Sequence, residues 1–361
     1  MNSEGIKAMN SNMTDYLKRT LEARIYDLVV ETPLQKAPLI SQQINNEVFI
    51  KREDMQPIFS FKLRGAYNKL LQLTQKQRDA GVVAASAGNH AQGLALSSRH
   101  LGVKALIVMP LTTPSIKVDS VRRLGARIVL SGANYDEALA LSKRIVKRTG
   151  MTYVHAYDDQ DVISGQGTIA AEILRQLTSR IDAVFIPVGG GGLCAGMAAF
   201  IKLVRPEIKV IAVESEESAC LKEALLHQQP KRLSYVGKFA DGVAVGEIGS
   251  ETFRVLKDYV DDVVTASNDE ICFAIKDIFE ETRSIAEPSG ALALAGLRKY
   301  SNEHKLKGKT LVTILSGANA NFSTLNYITE RTSAGDLRAS QADVTPKVEH
   351  VMLKEPRSNQ P

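Results

Sequence analysis

The run Ala183–Ala195, A-V-F-I-P-V-G-G-G-G-L-C-A, joins an apolar strand to a helix start through four consecutive glycines. Such glycines let several backbone N–H groups converge, and a helix N-terminus adds the positive end of its dipole, so a phosphate is held without any side chain. A plain tight turn needs only one or two glycines. Gly190, Gly192 and Ala195 also satisfy the dinucleotide pattern G-x-G-x-x-A, with Glu214 ending the next strand, so an NAD(P)-dependent oxidoreductase is a competing reading. Lys62, in S-F-K-L-R-G-A, lies between Phe61 and Leu63 near a predicted helix N-terminus. Apolar neighbours and the helix dipole both disfavour its ammonium form, which suits a nucleophile toward an aldehyde; most lysines, however, simply sit on solvated faces. Ser86-Ala87-Gly88-Asn89-His90 follows a strand and opens a helix, offering N–H groups and a hydroxyl to a carboxylate, with helix capping as the plainer role for Asn89 and His90. Ser316, in S-G-A-N directly after L-V-T-I-L, places a hydroxyl at the carboxyl end of a strand, where open α/β folds bind ligands.

These residues need elements to hold them. Leu17, Leu21 and Ile25 recur every fourth residue, which predicts an amphipathic helix from Asp15 to about Val29. Strands are expected at Val48–Lys51, Val82–Ala85, Ala105–Met109, Arg127–Leu130, Ala183–Pro187, Lys209–Glu214 and Leu311–Leu315, with helices between them, including Gly65–Leu73 and one from about Tyr135. Strand and helix in alternation mean a mostly parallel sheet covered on both faces. No Gly/Ser-rich or Pro-rich linker divides the chain. From Thr332 to Pro361 aromatics are lacking and Ser, Asp, Lys, Gln and Pro accumulate, which predicts weak order.

Composition narrows the function classes. The chain has 361 residues, 45 Lys+Arg against 40 Asp+Glu, and 44% hydrophobic residues, which excludes collagen-like, disulfide-framework and wholly disordered chains. A formal charge of +5 is no nucleic-acid signature. The basic cluster Lys143, Arg144, Lys147 and Arg148 is explained by a helix C-terminal dipole, and no recognition module accompanies it. Cys194, Cys220 and Cys272 lie far apart without metal-ligand spacing, so they read as buried thiols in a reducing, cytoplasmic setting, and no metal is expected. Met1–Thr14 is polar, with no apolar core or small-residue cleavage site, so no signal peptide is expected there. Ala183–Ile201 lacks charge over nearly a membrane-spanning length, but Pro187 and its glycines fit a strand, turn and helix start better.

Taken together, Lys62 in S-F-K-L-R-G-A, Asn89 in S-A-G-N-H-A-Q-G, the loop Gly189–Gly192 and Ser316 in S-G-A-N resemble the fold type II pyridoxal-phosphate enzymes, in the branch that holds the serine and threonine dehydratases. F-A-D-G-V-A-V at Phe239–Val245 and A-E-P-S-G-A-L-A-L-A-G at Ala286–Gly296 extend the resemblance, which runs from about Asp15 to Arg331. It displaces the dinucleotide reading, which leaves Lys62 and Ser316 unexplained. The resemblance implies a tryptophan synthase β-like fold of two open, twisted, mostly parallel sheets: a large cofactor-binding domain from 15–53 and 156–331, a smaller domain from 54–155, and 332–361 as a remnant of, or replacement for, a regulatory domain. It implies pyridoxal 5'-phosphate bonded to Lys62, its ring hydroxyl on Asn89, its phosphate in Gly189, Gly190, Gly191, Gly192 and Leu193, its ring nitrogen facing Ser316, and its ring between Phe61 and Gly242. Ser86, Ala87, Gly88, Asn89 and His90 would hold the substrate carboxylate, and Glu287 would contact substrate or ring, although glutamate before proline at a helix start is more often a cap.

The implied activity is elimination of water from L-threonine to 2-oxobutanoate and ammonia, the first step of isoleucine biosynthesis, with L-serine as a side substrate. Serine racemases of the family carry a second serine where this chain has Ala87, so racemisation is not expected. Long relatives continue into an isoleucine-binding regulatory domain, whereas only 30 residues follow Arg331, which predicts little feedback inhibition. A homodimer or homotetramer, with no nucleic-acid or membrane partner, completes what the resemblance implies.

Overall fold

The computed structural model describes residues 15–342. Two sheets organise the chain. The larger has six strands in the order Leu34–Lys36, Glu47–Arg52, Thr310–Leu315, Ala183–Pro187, Lys209–Ser215 and Asp262–Ala266, all parallel except the first, which pairs antiparallel at the edge. The smaller orders Arg127–Leu130, Ala105–Met109, Val82–Ala85 and Thr152–Tyr153, all parallel. Central strands such as Val82–Ala85 and Ala183–Pro187 are buried along their whole length, as expected of a sheet covered on both faces.

The helix Gly192–Val204 is apolar on all sides and wholly buried through Ile201. It lies between the large sheet and the helix Gln160–Gln176, so the uncharged stretch Ala183–Ile201 is a strand, a turn and a core helix. Among the described residues no helix is long and apolar enough to cross a membrane. Cys194, Cys220 and Cys272 are buried free thiols, and burial pushes all three above the usual thiol range.

Three sequence expectations need correction. The first helix ends at residue 21, not near Val29. Ala23, Ile25 and Val29 are buried all the same, but in turns that cap a cluster with Ile58, Leu63 and Tyr67, and four-residue spacing alone does not distinguish a helix from such turns. The strands Leu34–Lys36, Thr152–Tyr153 and Asp262–Ala266 were not legible: the first two have only three and two residues, too few to carry a period, and the five of Asp262–Ala266 were not expected between two helices. Finally, the chain expected to loosen at Thr332 instead continues a helix, Thr324–Ala342. Ile328 and Thr332 are buried and Arg331 pairs with Asp269, which fastens that helix to Asn268–Thr282. Met1–Thr14 and 343–361 lie outside the described residues.

The helix Lys62–Leu71 is anchored by buried charge. Arg64, fully buried, donates from Nε to Glu53 Oε2 at 2.7 Å and from Nη2 to Glu53 Oε1 at 2.7 Å, and it reaches Glu172 through Nη1 at 2.5 Å and Nη2 at 2.9 Å. Lys51 Nζ lies 2.6 Å from Glu172 Oε2 and donates to Thr32 O at 2.6 Å. Burial alone would raise the Glu172 carboxyl, but the charges of Arg64 and Lys51 outweigh it and hold that carboxyl low. Two cations face two carboxylates with no water between them, so removing one partner strands a buried charge. Arg64→Met is therefore expected to destabilise the protein by about 3–5 kcal/mol, as measured by urea unfolding; a loss under about 1 kcal/mol, as for a surface pair, would refute this.

Candidate active site

Lys62 is the first residue of its helix, with Phe61 at the N-cap. Its ammonium donates to Ala156 O at 3.1 Å and sits 5.1 Å from the centre of the Phe61 ring. Burial lowers its pKa to about 8, and the nearby Glu287 charge only partly opposes the shift. The lysine thus reaches half deprotonation near pH 8 and not in the range of an ordinary lysine, as suits a nucleophile or general base.

The segments flanking Lys62 and Ser316 are joined by backbone. Phe61 N donates to Ser316 O at 3.2 Å, Ala318 N to Phe59 O at 2.9 Å, and Ser60 bridges Gly317. The buried Ser316 hydroxyl donates to Ser289 O at 3.2 Å, and the Ser289 Oγ beside it has no hydrogen-bond partner. Asn89 donates to Glu287 Oε1 at 2.6 Å and accepts from Asn319 Nδ2 at 2.8 Å. Glu287 occupies the N-cap of Pro288–Glu303 but makes no capping bond, so the helix-cap reading gives way to one in which its carboxyl faces the site. Burial foremost, then the Asp241 charge, push that carboxyl up to about 7. Asn319 belongs to the S-G-A-N motif, but nothing in the sequence indicates that it would orient Asn89.

The glycine loop packs more tightly than an open cradle. A Cβ on Gly190 would collide with the Tyr157 ring, and Gly191 has φ of 92°, a left-handed value that favours glycine. Tyr157 follows Ala156, so the residue that accepts the Lys62 hydrogen bond and the one that covers the loop are neighbours. Tyr157 gave no sequence signal. The six N–H groups from Gly189 to Cys194 donate to no acceptor among the described residues, and all but Gly189 are buried. Unmet donors at the N-terminus of a buried helix call for an anion.

The other candidates fall as follows. Ser86 Oγ accepts from Gly88 N at 3.3 Å, and a Cβ on Gly88 would meet nothing within 4 Å, so the turn Ser86–Gly88 opens onto free space beside Asn89. His90 points away from that opening. It is buried, and its Nε2 lies 3.0 Å from Val154 O, which makes Nε2 the protonated nitrogen. Burial, with the Lys62 charge, pushes it down to about 3, so the imidazole is a neutral structural pin for the turn, while the His90 backbone N–H, like that of Asn89, meets no acceptor among the described residues. Gly242 lies in the turn Asp241–Val243 against Ser289, and is exposed. Asp241 pairs with Lys117 from the helix Ser115–Arg123, across the gap between the two sheets' halves of the chain. Glu214, the acid the dinucleotide reading needs, is buried and accepts from Leu221 N at 2.7 Å and Lys222 N at 2.9 Å. It caps the helix Cys220–His227 and is spoken for.

The sequence profile of pyridoxal-phosphate-dependent enzymes matches residues 25–317. The chain belongs to that family. Biosynthetic L-threonine dehydratases from Pasteurella multocida and Escherichia coli are 56% and 53% identical over 331 residues, 92% of this chain and 64% of each relative. This chain therefore spans about two thirds, and no more, of the length of those relatives. Among solved structures, the processed form of threonine deaminase isoform 2 from Solanum lycopersicum superimposes with a TM-score of 0.87 at 46% identity, covering 89% of this chain and 93% of that one. Serine racemase from Dictyostelium discoideum gives a TM-score of 0.79 at 33% identity, over 85% of this chain and 99% of that one. The fold is that of the family, an α/β fold of two mostly parallel sheets.

The site fits the family's cofactor. Its unmet N–H groups suit a phosphate, the desolvated Lys62 amine suits an aldehyde, and the Ser316 hydroxyl suits a pyridine nitrogen without imposing a proton on it.

Two expectations follow for the protein freed of cofactor. Because the Lys62 pKa is lowered, its modification by trinitrobenzenesulfonate, followed by peptide mass spectrometry, should rise with pH around a midpoint near 8, where an unperturbed lysine would show 10.5. For Glu287 the folded pKa is raised, so folding takes up a proton. The stability it contributes is present below about pH 4.5 and lost as pH rises through about 7. Glu287→Gln should flatten that decline by roughly 2–3 kcal/mol between pH 4.5 and 7.5, as read from urea unfolding at a series of pH values; a parallel, unflattened profile would contradict it.

Proposed function

We propose that the chain catalyses the elimination of water from L-threonine to 2-oxobutanoate and ammonia, with L-serine giving pyruvate as a side reaction, and so serves the first step of isoleucine biosynthesis. The observation that carries this reading is the convergence of one desolvated lysine with the unmet N–H groups of the glycine loop and a serine hydroxyl. The relatives named threonine dehydratase and threonine deaminase supply the substrate.

Pyridoxal phosphate, when bound, supplies an aldehyde for the substrate amine and a ring that draws electron density from the α-carbon. The chain does the rest. Gly189, Gly190, Gly191, Gly192 and Leu193 would hold the phosphate, Asn89 the ring hydroxyl and Ser316 the ring nitrogen, with Phe61 and Gly242 against the ring. The turn Ser86–His90 would receive the substrate carboxylate on its free helix N–H groups. Lys62, neutral above about pH 8, removes the α-proton at Nζ, and Ala156 O holds the resulting ammonium. Glu287, mostly protonated below about pH 7, keeps Asn89 in place without bringing a full second charge to the site. A large unit from 15–53 and 156–331, a smaller one from 54–155 and assembly as a cytoplasmic homodimer or homotetramer belong to the same proposal.

A second reading, serine racemase, has the Dictyostelium structure in its favour. It needs an acid or base on the face opposite Lys62, and Ala87 offers none there.

Purified wild type should show a visible absorption band that Lys62→Ala abolishes, and should release 2-oxobutanoate from L-threonine at a rate that Lys62→Ala lowers by roughly 10²–10⁴-fold. A protein that takes up no pyridoxal phosphate, or that forms product equally well without Lys62, would sink the proposal. Ala87→Ser should raise formation of D-serine from L-serine, measured by chiral chromatography; no increase would remove the explanation for L-specificity.

A further inference from the structure

The buried ions described above lie directly beneath the reactive lysine. Successive residues of a helix are about 100° apart, so two positions separate side chains by about 200°. Lys62 and Arg64 therefore leave opposite faces of the first turn, and whatever fixes Arg64 aims Lys62. All five N–H groups of the guanidinium are engaged: Nε on Glu53, Nη1 on Glu172 and on Thr168 Oγ1 at 3.1 Å, and Nη2 on Glu53 and Glu172, with Val30 O at 3.4 Å. Its two carboxylates come from separate places. Glu53 follows the strand Glu47–Arg52 of the large sheet, whereas Glu172 stands on the helix Gln160–Gln176, whose preceding loop carries Ala156 O and Tyr157. Both carboxylates are themselves pinned, Glu53 by Thr32 Oγ1 at 2.6 Å and Glu172 by Lys51 at 2.6 Å and by Tyr26 at 2.9 Å.

Apolar packing would tolerate a small rotation or slide of the helix. A planar fork between two fixed carboxylates does not, because either motion breaks charged hydrogen bonds that no water can replace. Gly65 adds a steric stop, since a Cβ there would press on Val162 and Gln166 of the facing helix. We propose that Arg64, through Glu53 and Glu172, is a positioning residue that sets the rotation of the first helical turn and thereby the place of the Lys62 amine relative to Ala156 and the glycine loop. This rests on Lys62 being the reactive amine, as proposed above.

Arg64→Lys tests it, because the charge is kept and only the fork is lost. The variant is compared with wild type for folding by circular dichroism, for the pH midpoint of Lys62 modification in cofactor-free protein, for pyridoxal phosphate binding, and for kcat and KM with L-threonine. A positioning role predicts a folded variant in which the Lys62 midpoint moves up by about 1 pH unit as water reaches a misplaced amine, and in which kcat falls by about 10-fold or more while KM changes by less than about 3-fold. A lowered melting temperature with an unchanged midpoint and an unchanged kcat would show that Arg64 only supports the fold, and would overturn the proposal. Should Arg64→Lys not fold, Thr168→Val, which removes one neutral bond to Nη1, is measured in the same way. A several-fold kcat loss with a raised midpoint is then expected, and wild-type values for both would overturn the proposal. The underlying reading fails separately: wild-type Lys62 would then titrate as an ordinary lysine, and Lys62→Ala would keep activity.

Discussion

Three neighbouring strands of the large sheet, Glu47–Arg52, Thr310–Leu315 and Ala183–Pro187, run parallel and so end on one edge. The chain that leaves the first leads to Lys62, the second delivers Ser316, and the third enters the glycine loop. Parallel pairing at about 4.8 Å per strand brings these exits within roughly 10 Å of one another, although they lie far apart in the sequence. The smaller sheet aims the exit of Val82–Ala85, the turn Ser86–Gly88, at the same space, as the contact of Asn89 with Glu287 shows. Every group assigned a part in the chemistry depends on this shared polarity of strands.

Charge is handled in two ways in adjacent places. Under the Lys62 helix, Arg64 and Lys51 meet Glu53 and Glu172 in full, so burial leaves the ions charged and fixed. Above it, the half-buried Lys62 and the buried Glu287 lack so close a charged partner, and both shift toward neutrality, to about 8 and about 7. The difference is one of compensation. Ions paired on several sides give rigidity, whereas ions left short of partners exchange protons near neutral pH, which is what a proton-transferring site uses.

The glycine loop shows how one sequence feature serves two ends. Gly190 is needed because Tyr157 lies against it and Gly191 because its backbone is left-handed, so protein packing accounts for part of the glycine run. The same tight turn leaves six N–H groups without acceptors among the described residues. Packing by Tyr157 and the readiness to bind an anion thus arise from one backbone path. Similarity to dehydratases and to a racemase fits a scaffold of this kind, since one fold hosts more than one reaction and the site, not the fold, decides which.

By itself the sequence determined the alternation of strand and helix, most strand positions, and the four motifs whose residue types announce an aldehyde-bonding lysine and a phosphate turn. Local composition encodes these, since a period of two or 3.6 and a run of glycines are legible within a few residues. The tertiary structure decided what depends on distance in the chain. It turned the His90 ring onto Val154 O and Glu287 from a helix cap into the partner of Asn89. It committed Glu214 to a helix N-terminus, which removes the dinucleotide reading, and it brought Asn319 and Tyr157 to the site without any prior sign. The physical reason is that such hydrogen bonds and desolvation are set by neighbours distant in the chain, 64 positions for the His90 pin to Val154 and 230 for the Asn319 bond to Asn89, and no local pattern reports such neighbours.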